Sequence, residues 1–360
     1  MWRAVFSPGW GLHDEEHPLN DATHLGRLIR AAAGNQAASD ILDTLQIDPA
    51  FFSESSGDVT RAVFAMALNA VLFQDLLGRV PSGAAYVADR RRSQQRITFD
   101  HGALRTIRFG AGPTGELPAG ADSFSRILQP LGYHVAGVYP LDMLRMTGRG
   151  FAHREFPNTL PQFFVSELHV DRFSPEFQAA AARVFSTSHD PLGHDARAAL
   201  AEFAEQGRCG FEPAVSGLRE IVAAFRRCHD TPALADYRLL LAESAEAAWI
   251  ATEGCAFNHA TDRVPDVDAT AAEQRALGRP IKDVVEISKA GSVRQTAFKA
   301  DPVLRTFRAE DGGTTSLTVP GSFYEFISRD EIRSSDGTPQ LDLRFDSSNA
   351  QGIFKMTAAA

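Results

Sequence analysis

Cysteine is scarce in this chain: Cys209, Cys228 and Cys255 are three in number, far apart, and form no CxxC pair. Such a set excludes a disulfide framework and a thiolate zinc site, and it fits a protein of the reducing cytoplasm. Positive charge is short as well. A net charge of -9 argues against nucleic acid or an anionic membrane as a partner. The one basic cluster, Arg90-Arg91-Arg92, is expected to end a helix, where cations meet the negative end of the dipole. Long apolar runs are missing too. The longest, residues 62–73, is interrupted by Asn69 and is too short to span a bilayer. Pro8, Gly9, Gly11, Asp14, Glu15 and Glu16 leave no hydrophobic region for a secretory signal. There is no strong internal repeat, no low-complexity tract and no Gly-rich phosphate loop, since Gly110-x-Gly112 lacks both the remaining glycine and the strand-to-helix setting of a nucleotide site. Asp262, Asp266 and Asp268 lack EF-hand spacing and read as turn and cap residues.

What is present, over 360 residues, is enough chain to bury a core without staples. Residues 1–35, rich in Pro, Gly and His, read as an arm or loosely packed extension. Residues 36–93 read as helical, with a buried helix over 58–79 opened by Asp58 and stopped near Gly78 and Pro81. Residues 94–173 form a strand-rich region, with strands expected at 96–109, 133–139 and 162–170 between Gly/Pro loops. The period then changes. Residues 174–254 read as a helical insert with Ser174 as N-cap, Pro175 in the first turn, and breaks near Gly193, Gly210 and Thr231-Pro232. Strand signals return within 255–360, at 256–259, 284–288, 293–299, 322–328 and 341–345. The whole is an α+β arrangement of two β modules separated by helices.

The chemistry has to come from histidines and carboxylates that sit on strands in apolar company. His101 and Arg105 lie four residues apart on one strand, so they share a face with Cα atoms roughly 13 Å apart and only Ala103 between them. A metal at His101 and an anion at Arg105 would then be two ends of one small-molecule site, a geometry suited to a short keto acid. His259 follows the last helix of the insert. Glu325 shares a strand face with Phe323 and Ile327, where an uncompensated carboxylate costs several kcal/mol to bury. Two imidazoles and one carboxylate make the facial set of non-haem Fe(II) oxygenases, which leaves adjacent positions open. The intervals of 158 and 66 residues between them form no local motif that could confirm the set. Rivals exist: His169, on one face with Glu167, as a ligand, and Glu286 as the carboxylate. His134, His189, His194 and His229 look like loop or surface residues. Each candidate also has a plain alternative, a hydrogen-bonded histidine, a solvent-facing glutamate or an ion-paired arginine.

Four segments tip the balance. Phe99-Asp100-His101-Gly102-Ala103-Leu104-Arg105-Thr106, Phe257-Asn258-His259-Ala260-Thr261-Asp262-Arg263-Val264-Pro265-Asp266, Gly291-Ser292-Val293-Arg294-Gln295-Thr296-Ala297-Phe298-Lys299-Ala300-Asp301 and Pro320-Gly321-Ser322-Phe323-Tyr324-Glu325-Phe326-Ile327 occur in the order that resembles the 2-oxoadipate dioxygenase/decarboxylase family. The resemblance spans about residues 40 to 356. It implies a vicinal-oxygen-chelate, glyoxalase-like core of paired β modules, and Fe(II) held by His101, His259 and Glu325. It also implies a substrate carboxylate bound by Arg105. The reaction implied joins 2-oxoadipate and O2 to give 2-hydroxyglutarate and CO2, as in lysine degradation, without separate 2-oxoglutarate. Ala350-Gln351-Gly352-Ile353-Phe354 looks like the family's pocket-lining C-terminal segment. The chain reads as a short form of the family, because longer members carry extra sequence between the glutamate strand and that segment, which leaves the length of the accepted 2-oxo acid open. Two other classes of function remain. One is a non-redox glyoxalase-like isomerase or hydrolase using Zn, Ni or Mn; the other is a catalytically silent binding protein on the same scaffold.

Overall fold

The computed structural model describes residues 23–53, 57–333, 337 and 339–346. Its frame is an eight-stranded mixed sheet. In chain order the strands are β1 (Phe99–Arg108), β2 (Tyr133–Leu141), β3 (Met146–His153), β4 (Gln162–His169), β5 (His259–Arg263), β6 (Glu286–Ile287), β7 (Val293–Ala297) and β8 (Phe323–Arg329). Across the sheet the order is β2-β3-β4-β1-β5-β8-β7-β6. Each half follows one plan. A first strand leads into a helix, Asp122–Leu128 after β1 and Val267–Ala276 after β5. Three more strands follow, and the last returns to lie parallel to the first, β4 beside β1 and β8 beside β5. The halves join where β1 and β5 pair antiparallel, with Ala103 opposite His259 and His101 opposite Thr261. The paired β modules expected from the sequence are therefore present, and they share topology although they show no strong repeat in sequence.

Helices decide which face of this sheet is dry. The helix Arg61–Arg79 is capped by Thr60, whose hydroxyl accepts the Val63 N–H at 3.3 Å, and it ends before Pro81 opens the next helix, Pro81–Arg92. It is long and apolar enough to cross a membrane, yet most of it is buried in the protein core. Its one buried polar residue, Asn69, donates to the Ala65 carbonyl and to Tyr133 Oη, both at 2.9 Å, which satisfies its amide N–H groups while its buried Oδ1 is left without a partner. Phe73 and Tyr86 from these two helices pack on Tyr324, with ring centroids 6.3 and 5.5 Å away. Even-numbered β8 residues therefore meet the helices, and by the period of two Phe323, Glu325 and Ile327 face the other side. The insert contributes helices Pro175–Phe185, His194–Gln206, Phe211–Ala223, Leu234–Glu243 and Ala245–Glu253. Ser174 caps the first of them, accepting the Phe177 N–H at 3.2 Å.

Several expectations need correcting. The arm expected over residues 1–35 does not extend to its end: His24–Ala33 is a helix capped by Thr23, and Leu25, Leu28 and Ile29 on it are fully buried. The i, i+3, i+4 spacing of those three residues was the overlooked signal. Asp58 opens no helix but starts a short strand, Asp58–Thr60, that pairs with Arg208–Gly210. Among the features with no counterpart in the expected strands are β3 and a hairpin of Pro302–Arg308 with Thr314–Pro320, and the strand expected at 341–345 is instead Pro339–Leu341, paired with Glu331–Arg333. The hairpin's cue was Asp311-Gly312-Gly313, where Gly312 adopts a left-handed φ of 83°. Residues 256–258 precede β5 rather than belonging to it. His229 is buried instead of superficial, with Nε2 3.0 Å from the Ala251 carbonyl and its ring against Phe185. Asp262 is buried on β5, whereas Asp266 does cap the following helix.

Candidate metal centre

Register brings three distant residues together. His101 lies opposite Thr261 on β5, Glu325 of β8 lies opposite that same Thr261 from the other side, and His259 lies one inward-facing step along β5. Neighbouring strands are about 4.8 Å apart, so residues on adjacent strands can converge on one point. Each of the three offers a ligand atom within 4.8 Å of the others, and all three residues are buried. Glu325 Oε2 is 3.2 Å from His259 Nε2, and the two imidazole rings stand nearly perpendicular at a centroid distance of 5.6 Å. Phe323 stacks on His259 at 4.8 Å. Gly102 makes this packing possible from behind, because a Cβ there would lie 2.2 Å from the ring of Phe257.

The electrostatics are those of a site short of positive charge. Neither carboxylate oxygen of Glu325 has a hydrogen-bond partner, and burial pushes its pKa up to about 8. Burial pulls His259 well below the usual imidazole range, with His101 and Arg105 adding to the effect, and His259 Nδ1 also lacks a partner. Burial lowers His101 too, against the opposing pull of Asp100. Two neutral imidazoles and a carboxyl that holds its proton only for want of a cation form a donor set that fits a divalent metal ion.

By itself the sequence assigns Asp100 no role; its place at the site comes from a bulge. The β1/β5 register slips between Phe99 and His101, so Asp100 is the extra residue on β1. Its Oδ1 lies 2.8 Å from His101 Nδ1, while His101 Nε2 lies 3.1 Å from Thr261 Oγ1. Burial alone would raise Asp100, but the Arg329 guanidinium and the His101 contact hold its carboxyl well below the usual carboxylate range. An ionised Asp100 accepts from Nδ1–H, which leaves the Nε2 lone pair on the side of Glu325 and His259.

Arg105 is fully buried on the same face as His101 and Ala103. Its guanidinium lies 5.1 Å from the centre of the Trp249 ring. Burial lowers its pKa to about 10, opposed by the charge of Glu246. Trp249 and Glu246 both come from helix Ala245–Glu253, and Trp249 Nε1 donates to the Gly321 carbonyl at 3.0 Å. The insert thus supplies one wall. Phe345 supplies another, with its ring centroid 4.9 Å from His101 and 4.8 Å from Phe164. Gly150 leaves room for it, since a Cβ there would lie 3.0 Å from the Phe345 ring. The segment Ala350-Gln351-Gly352-Ile353-Phe354 lies outside the described residues.

The rivals are placed elsewhere. Glu167 and His169 alternate with Ser166 and Leu168 on β4 and so face away from the triad; Glu167 pairs with Arg108 at 2.8 Å and Arg149 at 2.7 Å, and His169 Nε2 lies 2.8 Å from Thr147 Oγ1. Glu286 pairs with Lys282 at 2.7 Å. Among the described residues, His101, His259 and Glu325 are the group of His, Cys, Asp and Glu side chains close enough to hold a metal.

The sequence matches the 2-oxoadipate dioxygenase/decarboxylase family over residues 70–355. The chain belongs to that family. It is 24% identical to the chloroplastic 2-oxoadipate dioxygenase/decarboxylase of Arabidopsis thaliana, over 85% of this chain and 82% of that protein. Its structure is similar to a glyoxalase superfamily protein from Ralstonia eutropha, with a TM-score of 0.85, 46% identity and coverage of 90% of this chain and 98% of the other. The hydroxyglutarate synthase of Oryza sativa, solved in complex with 2-oxoadipate, is 21% identical with a TM-score of 0.63, and it covers 85% of this chain and 97% of its own. At that identity the match speaks for the fold, which is the glyoxalase-like α+β core expected.

Proposed function

We propose that this member of the family is an Fe(II)-dependent dioxygenase/decarboxylase that converts a 2-oxo acid, with 2-oxoadipate as the first candidate, and O2 to 2-hydroxyglutarate and CO2. The observation that carries the reading is the buried triad of His101, His259 and Glu325 with Arg105 on the same face. The reaction balances without an added reductant, since the six carbons of 2-oxoadipate and both atoms of O2 are all found in the two products. Fe(II) held by the triad would supply chelation of the 2-oxo acid and activation of dioxygen.

The residues of the chain do the rest. Asp100 fixes His101 so that its Nε2 lone pair, now 3.1 Å from Thr261 Oγ1, would be turned to a metal at the triad. Glu325 gives up its proton when a cation takes its place. Arg105, with its planar fork, would grip the carboxylate of the substrate remote from the keto group and so select a dicarboxylic acid over a neutral one. Trp249, Phe323 and Phe345 exclude water from the reacting end. The three free thiols support a reducing compartment such as the cytoplasm for this activity.

Anaerobic loading with Fe(II), addition of 2-oxoadipate and admission of air should consume O2 and release CO2 and 2-hydroxyglutarate in equal amounts. A protein that binds Fe(II) yet takes up no O2 with any 2-oxo acid would refute the reading. Turnover without O2 would assign it to non-redox glyoxalase-type chemistry instead.

A further inference from the structure

Arg329, the last residue of β8, directs its donors two ways. Nε and Nη2 fork onto Asp100, at 2.9 Å to Oδ2 and 2.8 Å to Oδ1. Nη1 donates to the backbone carbonyls of Asp342 and Arg344, at 2.7 and 3.0 Å. The arginine side chain is 0% exposed and that of Asp100 is 1% exposed. One buried cation therefore joins the carboxylate that orients His101 to the backbone of a segment, residues 339–346, that follows the sheet.

That segment is fastened elsewhere by contacts independent of Arg329. Asp342 accepts from Ser292 Oγ at 2.6 Å, and its own N–H donates to the Asp330 carbonyl at 3.1 Å. Tyr139 Oη accepts the Phe345 N–H at 3.2 Å, and Asp346 accepts the Lys289 N–H at 2.7 Å. Docking sets the Phe345 ring edge-on against His101 at 4.9 Å and places it 5.5 Å from the Arg329 guanidinium. Undocking would strip Nη1 of both acceptors inside the protein, and a buried guanidinium that loses acceptors must be drawn toward water, taking its fork on Asp100 with it.

We propose that Arg329 is a positioning residue that couples docking of residues 339–346 to the orientation of His101 through Asp100, so that a closed segment and a metal-competent triad stabilise each other. This rests on His101 being a metal ligand, as proposed above. It goes beyond that reading by making the segment part of the metal site's support. Coupling of this kind is reciprocal: whatever factor docking adds to metal affinity, metal must add to docking.

The test uses Co(II) as the probe, with the full-length protein, titration calorimetry and the visible absorption of the bound ion. Arg329→Lys, which keeps the charge and loses the fork, and Asp100→Asn should each bind Co(II) 10- to 100-fold more weakly, as is typical when a carboxylate that orients a ligating histidine is lost. Asp342→Ala loosens the segment without touching Arg329 or the triad, and it should weaken Co(II) several-fold. Hydrogen exchange at residues 339–346 should slow when the wild-type protein takes up Co(II), and this slowing should vanish in Arg329→Lys. An arginine with a merely structural role would speed exchange equally with and without metal, leaving the difference intact, and that result would overturn the proposal. If Arg329→Lys does not fold, Asp342→Ala decides: unchanged Co(II) affinity overturns it. Failure of the wild-type protein to bind Co(II) would sink the triad itself and this proposal with it, whereas equal binding by wild type and variants sinks the proposal alone.

Discussion

Tyr86 Oη donates a hydrogen bond to Asp262 Oδ2 at 2.8 Å, deep between helix Pro81–Arg92 and β5. Asp262 Oδ1 accepts the Thr98 N–H at 3.1 Å, yet burial still pushes the carboxyl pKa up to about 7. A carboxyl raised in the folded state holds a proton that the unfolded chain releases near its ordinary value of about 3.9. Its contribution to stability is therefore complete below that value and is lost as pH rises from about 4 to about 7. Asp262→Asn keeps both hydrogen bonds open to satisfaction and removes the charge. It should be more stable than the parent at pH 8, by on the order of a few kcal/mol, and no more stable at pH 4. Urea unfolding at the two pH values checks this, and an equal gain at both would contradict it.

Glu325→Gln separates function from stability. Burial and the lack of hydrogen-bond partners already favour the neutral form of Glu325, so the amide should leave the metal-free protein as stable at pH 7, or more so. Metal content after Fe(II) loading should fall to background and O2 uptake should cease. A variant that keeps its metal, or that melts well below the parent when metal-free, would argue against this account of the site.

Arg105→Lys keeps the charge and gives up the planar fork. Loss of one charge-assisted hydrogen bond at a buried site is worth about 1.5–3 kcal/mol, which corresponds to a KM for 2-oxoadipate raised roughly 10- to 100-fold. Metal content should not change. Steady-state kinetics with iron analysis on the same sample tests both halves, and a fall in bound iron without a change in KM would move Arg105 from substrate binding to metal support.

Gly102→Ala asks whether the strand between the two site residues tolerates thickness. The new methyl would meet Phe257 at 2.2 Å, and that ring is confined by Phe99, Phe163 and Phe225. Overpacking should cost about 1–3 kcal/mol and weaken metal binding as β1 shifts. Pairing it with Phe257→Leu should recover part of both losses; a double variant no better than the sum of the two singles would show that the ring is not the obstacle.

The three candidate ligands were legible because each announces itself on a strand: His101 within an apolar run, His259 after the last insert helix, and Glu325 between Phe323 and Ile327. Topology was legible as two modules, but β3 was not anticipated, nor was the hairpin of Pro302–Arg308 with Thr314–Pro320, whose strands are exposed or half-buried apart from Phe307 and Val319. What orients His101 could not be read in advance. Asp100 reaches it through a bulge, and Arg329 reaches Asp100 from a residue 229 positions away; period-two alternation would have put Asp100 on the opposite face from His101. Helix His24–Ala33 was missed because Pro, Gly and His nearby outweighed three leucine and isoleucine positions at helical spacing.

The two halves of the sheet, alike in plan, differ at one decisive point. Two residues past each histidine, Ala103 of β1 lies beside Phe164 of β4, and Thr261 of β5 lies beside Glu325 of β8. The place that holds a carboxylate in one half therefore holds an aromatic ring in the other. A matched pair of glutamates would offer an ion four protein donors, whereas this lopsided duplicate would leave one flank of an ion held at the triad bare and greasy, where a guest with its own oxygens could complete the shell.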